Sequence, residues 1–283
     1  MNIITGASGQ IGSYVVKELV RMQKPVRAIV RSPEKAMQFE KEGVEAGVAD
    51  LQDSEAVKAA FEGAATVLLM TPENPASSNV IGDTIRIISN YRDAIRAADI
   101  KRVVALSSVG AQYSEGTGNL IQSHLLEEMV RELDIDYVII RPSYYFSNWL
   151  AYRALAAQDG VLPTFFPTDL RMEMLSPADV AAFIASAIAD TAMHGLYELT
   201  GPEDYSSNDV AEHFSRIVGR DVRAAEVPAS EWEKTLRSAG FSDDAAHNLA
   251  AMTQAVLDGK TAPQGPAPVK LKTSLADYLS SLG

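Results

Sequence analysis

The chain opens on Asn2-Ile3-Ile4-Thr5-Gly6-Ala7-Ser8-Gly9-Gln10-Ile11-Gly12, an apolar run that breaks into glycines and passes at once into an amphipathic stretch. A strand that turns this sharply into a helix aims backbone N–H groups and a positive dipole end at one spot, where a phosphate is stabilised. Gly6 permits the turn, Gly9 lets the main chain approach a pyrophosphate, and Gly12 lets the helix lie close on the strand. Ser8, Gln10 and Ile11 complete the loop that faces the ligand. Three glycines at this spacing also arise by chance. Their position between a strand signal and a helix signal is what predicts a bound dinucleotide.

The rest of the first half repeats that rhythm. Short apolar runs at 3–5, 26–30, 44–48, 66–70, 103–106 and 137–140 are expected strands. Between them lie helical stripes: Val15, Val16, Leu19 and Val20; Val57, Ala60 and Phe61 behind a cap at Asp53 or Ser54; Ile81, Ile85, Ile88 and Ile95; and Leu125, Leu126, Met129, Val130 and Leu133. Strictly alternating strand and helix mean right-handed crossovers and a parallel sheet covered on both faces. The expected fold is therefore α/β, a Rossmann-type doubly wound parallel sheet with a smaller, mostly helical C-terminal part. We place the nucleotide domain at 1–150 and the substrate part at 151–283, with some later segments returning to the first domain.

After Arg141-Pro142 the rhythm changes, and 143–175 has aromatic residues but little periodicity. Ser176-Pro177-Ala178-Asp179 reads as a helix start with a Ser cap and Pro in the first turn. A strand is expected at 196–200 and another at 222–227. Helices are expected from Ser206 or Ser207 to a stop at Gly219, and near 232–236, 249–256 and 274–282. The Gly/Pro/Ala/Gln segment 259–268 reads as a mobile loop.

A chain that selects NAD places an acid at the tip of the second strand, on the ribose 2′-hydroxyl. This strand ends Ile29-Val30-Arg31-Ser32, with Lys35 one turn on and no acid. A planar guanidinium matches the 2′-phosphate of NADP and also stacks on adenine. NADP(H) is thus the expected cofactor, with Arg31 as selector and Ser32 and Lys35 assisting. Asp50 and Leu51 follow the third strand, where an adenine edge would lie. A helix-capping role for Asp50 or Asp53 is an equal reading.

Composition removes several alternatives. A formal net charge of −12 argues against a nucleic-acid surface. The chain has no Cys, which excludes disulfides, thiolate metal sites and a Cys nucleophile and fits a reducing cytoplasm. The four His are scattered without metal-ligand spacing, so no metal is expected. Neither a signal peptide nor an apolar run of membrane-spanning length is expected. Both a monomer and a homodimer fit.

The glycine turn, Ala28-Ile29-Val30-Arg31-Ser32-Pro33-Glu34-Lys35, Gly47-Val48-Ala49-Asp50, Ser107-Ser108 and Ile139-Ile140-Arg141-Pro142 resemble the NmrA-like group of atypical short-chain dehydrogenase/reductases. Ser176-Pro177-Ala178-Asp179-Val180-Ala181 and Gly195-Leu196-Tyr197-Glu198-Leu199-Thr200 resemble it too. The likeness covers essentially the whole chain and looks closest to the branch of NADPH-dependent quinone and triphenylmethane reductases. It implies NADP(H) lying across the carboxyl ends of the strands, with Thr71 and Pro72 lining the trough. It implies Ser107 and Ser108 flanking the nicotinamide, and Arg141, Pro142, Tyr144 and Tyr145 near the nicotinamide and the substrate. The expected partner is a small aromatic or conjugated acceptor such as a quinone, enone or imine. The alternative within the same group is a non-catalytic NADP(H) sensor that binds a protein.

The wider superfamily uses a Tyr with a Lys four residues on, which makes the phenol a better acid. No Tyr here is followed by Lys at that distance. The group's alternative Lys, on the helix after the fifth strand, falls on Glu128. Tyr113, His124 and Ser108 are the remaining candidates for handling the proton; each also has a plain packing or surface reading. Solvent protonation needs none of them. Tyr144, Tyr145, Phe146 and Trp149 are expected to wall the acceptor pocket, with core packing as the competing reading.

Overall fold

The fold, a computed structural model, is described for residues 1–265 and 267–282. Strands β1 (Asn2–Ile4), β2 (Val26–Val30), β3 (Glu45–Val48), β4 (Thr66–Leu69), β5 (Arg102–Leu106) and β6 (Asp136–Pro142) alternate with five helices. These are α1 (Gln10–Arg21), α2 (Pro33–Lys41), α3 (Ser54–Phe61), α4 (Val80–Ala97) and α5 (Leu120–Glu132). There follow β7 (Tyr144–Tyr145), a 3₁₀ turn at Phe146–Tyr152, α6 (Arg153–Asp159), β8 (Val161–Thr164), β9 (Met172–Leu175) and α7 (Pro177–Ala189). The chain ends with β10 (Gly195–Thr200), β11 (Asp204–Tyr205), α8 (Ser207–Val218), β12 (Arg223–Glu226), α9 (Trp232–Ser238), α10 (Asp243–Leu257), β13 (Val269–Lys270) and α11 (Leu275–Ser280).

The main sheet has 8 strands in the order β13-β10-β6-β5-β4-β1-β2-β3. Every pairing in it is parallel. Its central strands are buried on both faces, while the edge strands β3 and β13 are partly exposed. Ile4, Ala28, Val30, Leu68, Val104 and Ile140 pack under α1, α2 and α7, and Ile3, Ile29, Val67, Leu69, Val103 and Ile139 pack under α3, α4 and α5. Strand order reverses between β4 and β1, which opens a crevice at the carboxyl ends there. A third apolar cluster, with Phe146, Trp149, Leu162, Phe214 and Tyr278, forms the core of the later part.

Several expectations need correction. Val20 and Ile85 sit on helices but are 47% and 54% exposed, because each lies at the edge of its apolar stripe and turns outward. Ser176 makes no side-chain cap; its helix starts on Pro177, and Asp179 instead accepts the backbone N–H groups of Lys272 and Thr273. Segment 143–175 contains β7, β8 and β9, short strands that pair only with distant segments. Helix α10 begins at Asp243, well before the stripe at 249–256, because Ser242 caps it. Asp53, not Ser54, caps α3. The 259–268 loop is tied down at Gln264 and Gly265, whose N–H groups both meet Glu198 Oε2 at 2.7 Å. Pro266, in that same loop, lies outside the described residues.

Candidate cofactor and acceptor site

The turn after β1 is built as its glycines require. Gly6 has φ +60°, the left-handed region. Its carbonyl accepts from Gly9 N at 2.9 Å and closes the loop. A Cβ on Gly12 would stand 2.3 Å from Gly6 O, so only glycine lets α1 lie this close. The amino end of α1 has no side-chain cap, whereas α2, α3 and α4 are capped by Ser32, Asp53 and Asn79. Ser8, Gly9 and Gln10 are exposed, while Ile11 is buried beneath them. Open N–H groups and a positive dipole end are what a pyrophosphate needs.

Arg31, at the tip of β2, is exposed and has no hydrogen-bond or ion-pair partner among the described residues. Lys35 stands exposed one turn further on. Ser32 is used otherwise than expected: its hydroxyl accepts from Lys35 N and caps α2. Asp50 is exposed and closes a local turn by accepting from Gln52 N at 2.9 Å, while Leu51 is buried in the core. Thr71 is half-buried and Pro72 exposed just past β4. The Tyr91 hydroxyl donates to Met70 O at 2.9 Å and fixes that strand end. The residues present thus fit a 2′-phosphorylated dinucleotide: an open cradle at α1 and an unengaged guanidinium at the next strand tip.

The far end of the crevice is made of side chains. Ser107, just past β5, donates to Glu127 Oε1 at 2.5 Å. The Arg141 guanidinium grips the same carboxylate with two bonds of 2.7 Å, and Arg131 adds a third cationic donor at 2.6 Å. On its other edge Arg141 reaches Gln112 Oε1 at 3.3 Å and Glu198 Oε1 at 3.5 Å. Burial alone would raise the Glu127 carboxyl, but Arg141 and Ser107 outweigh it and hold the group below the usual carboxylate range. Burial works against the Arg141 charge as well, and Glu127 and Glu198 more than restore it. The expectation for Arg141 is corrected: its guanidinium is committed to internal carboxylates and scaffolds the site. Sequence reasoning missed Glu127, although an acid set among Leu126, Met129 and Val130 was the available signal. Glu128, next to it, turns outward and pairs with Arg131 at 3.2 Å.

The proton-handling candidates are spread out. The Ser108 hydroxyl donates to its neighbour's carbonyl, Val109 O, at 3.1 Å. The His124 ring meets Ala111 O at 2.9 Å. A carbonyl only accepts, so Nδ1 carries the hydrogen, and in the neutral ring Nε2 is left as an acceptor. Tyr113 is 37% exposed, with Lys260 Nζ 6.0 Å from its ring centre.

Of the four aromatic residues expected to wall the pocket, two are corrected. Phe146 and Trp149 are fully enclosed in the third cluster, Phe146 against Tyr205 and Tyr278, and Trp149 bonded through Nε1 to Met174 Sδ at 3.4 Å. Their size and burial make them core. Pro142 is likewise buried, as the last residue of β6. Tyr144 and Tyr145 are half-buried. Beside them Ser147 donates to Gln10 Oε1 at 2.8 Å and ties the later part of the chain to the glycine turn. Among the described residues no cluster of His, Cys, Asp or Glu suits a metal, and no helix is long and apolar enough to cross a membrane.

Known proteins carry the same architecture. Quinone oxidoreductase 2 of Escherichia coli is 29% identical over 88% of this chain and 86% of its own length. The structure of that organism's NADPH-dependent quinone oxidoreductase in complex with NADPH superposes with a TM-score of 0.81, at 27% identity, over 100% of this chain and 99% of the other. The triphenylmethane reductase of Citrobacter sp., complexed with NADP(H), shares the fold with a TM-score of 0.83 at 22% identity, over 99% of each chain. The NmrA-like family model matches residues 3–280, and the chain belongs to the NmrA-like family.

Proposed function

We propose that this chain is an NADPH-dependent oxidoreductase that reduces a quinone or a related conjugated aromatic acceptor. The observation that carries the reading is the uncapped, glycine-lined amino end of α1 with unpaired Arg31 at the adjacent strand tip. The quinone oxidoreductase relatives support it. NADPH, when bound, supplies a hydride; the organic chemistry is the cofactor's. The protein's own residues hold it. Backbone N–H groups of the turn after Gly6 take the pyrophosphate, Arg31 takes the 2′-phosphate, and Thr71 and Ser107 border the trough. The Arg141–Glu127 pair keeps the end of β5 rigid, and Tyr145 borders the acceptor.

The test is a purified chain mixed with NADPH and a panel of quinones, followed by loss of NADPH absorbance. Turnover is expected with NADPH and much less with NADH. Tight NADPH binding without turnover of any acceptor would instead make the chain a nucleotide-binding regulator. The absence of a Tyr followed by Lys at four residues gives that second reading its footing.

A further inference from the structure

Tyr144 and Tyr145 are consecutive in β7, so their side chains leave opposite faces of the strand. The Tyr144 ring packs into the third cluster, edge-on to Phe166 at 5.8 Å and tilted on Trp149 at 6.0 Å. Its hydroxyl is paired with Asn148. Tyr145 goes the other way. It packs on the cluster that holds Ala7 and Ile11 of the glycine turn, as do Met70 and Leu106 at the carboxyl ends of β4 and β5. That cluster covers the α1 face of the sheet, and two residues beyond Tyr145 the Ser147 hydroxyl donates to Gln10 Oε1 at 2.8 Å, which brings this segment beside the glycine turn. The Tyr145 hydroxyl is enclosed there and has no hydrogen-bond partner. A buried hydroxyl left unpaired destabilises the fold, and burial pushes this phenol far toward its protonated form. A neutral O–H held without a partner is a donor waiting for an acceptor.

Resting on the reductase reading above, we propose that Tyr145 is a catalytic residue, the hydrogen-bond donor to the carbonyl oxygen of the acceptor. Hydride addition moves two electrons into the conjugated carbonyl and leaves negative charge on its oxygen. The Tyr145 O–H stabilises that charge without giving up its proton. Water supplies the proton that completes the hydroquinone, and the nicotinamide is left oxidised. A fixed donor aimed at a developing oxyanion is the largest single contribution many active sites make. This assignment also accounts for the missing Tyr/Lys pair: a donor that never ionises needs no lysine beside it.

The test is Tyr145→Phe, which removes one oxygen and keeps the ring. A hydroxyl with a structural role lowers the melting temperature when deleted. A hydroxyl kept unpaired for a ligand raises it, here by about 2–4 °C in the cofactor-free protein. In the same variant kcat for quinone reduction should fall about a hundredfold, with the NADPH dissociation constant changed less than twofold. Tyr113→Phe and His124→Gln are measured in parallel. A lower melting temperature in Tyr145→Phe, full retention of kcat, or a larger kcat loss in either parallel variant overturns the assignment. A wild-type protein that binds NADPH yet reduces no quinone overturns the reductase reading and the assignment together. Wild-type turnover with an unimpaired Tyr145→Phe overturns the assignment alone.

Discussion

At the amino end of α1 the structure is set by backbone N–H groups left open to a ligand, and around Arg141 it is set by buried side chains from four separate segments that bond one another. The first end depends on a few glycines within one stretch of chain. A Cβ on Gly12 would stand 2.3 Å from Gly6 O, and the neighbouring strands add only backbone carbonyls, Ile29 O to Ala7 N and Leu68 O to Thr5 N. The second end depends on Glu127, Arg141, Glu198 and Gln112, residues joined only by the tertiary fold. A local backbone motif is robust to change elsewhere and intolerant of change within itself. A buried charge cluster is the reverse, since each member is exposed to the loss of any other.

The largest expected effect comes from breaking the second end. Glu127→Ala leaves Arg141 buried with only the longer contacts to Glu198 and Gln112, its bidentate partner gone. Removing one member of a buried pair costs about 3–5 kcal/mol, which chemical denaturation would measure. An unchanged unfolding free energy would mean that the cluster is solvated and loosely held. The same carboxylate sets a pH dependence. Its folded pKa lies below its unfolded value of about 4.3, so its contribution to stability is complete above that value. That contribution is lost as pH falls through the lower, folded pKa. Glu127→Gln should therefore flatten the acid limb of the stability curve. Parallel acid limbs in the two proteins would mean that other carboxylates, not Glu127, set that limb.

Breaking the first end is expected to harm binding as well as folding, and each by less than the loss of Glu127 costs the fold. Gly12→Ala forces α1 away from Gly6, an overpacking worth about 1–3 kcal/mol, so NADPH should bind about ten- to a hundredfold more weakly. Equal affinity would show that the cradle does not hold the pyrophosphate. The smallest effect is expected where the two ends touch. Ser147→Ala removes the exposed bond to Gln10 Oε1 and should speed NADPH release by about twofold to fivefold in stopped flow, with little change in melting temperature. A large loss of stability would mean that this contact belongs to the core.

The same contrast explains what was legible in the sequence. The parallel strands and the glycine turn could be read because each is signalled within a few residues: Val26 to Val30 is apolar but for Arg27, and Gly6 sits where a positive φ is needed. Strand β13 was not legible, since a two-residue strand pairs with β10 only after the chain has returned to the sheet. Phe146 and Trp149 looked like pocket walls because aromatic composition is the same in a pocket and in a core; the difference lies in what α8 and α11 bring against them. Arg141 looked like a ligand for the cofactor because its strand end points into the crevice. Its actual partner, Glu127, arrives from a helix whose exposed neighbour, Glu128, carries the same charge. Periodicity separates those two acids only once the helix phase is known. The orphan hydroxyl of Tyr145 has no signal in sequence at all, because an unmade bond is a property of the packed structure.

The central claim is that a 2′-phosphorylated cofactor rests on the amino end of α1 and is selected by Arg31. Calorimetric titration of NADPH and NADH into the wild-type protein and into Arg31→Ala tests it most directly. The account predicts that NADPH binds the wild type more tightly than NADH. It also predicts that Arg31→Ala weakens NADPH by about tenfold or more and NADH by less than twofold. Equal losses for the two cofactors, or no heat with either in the wild type, would contradict it.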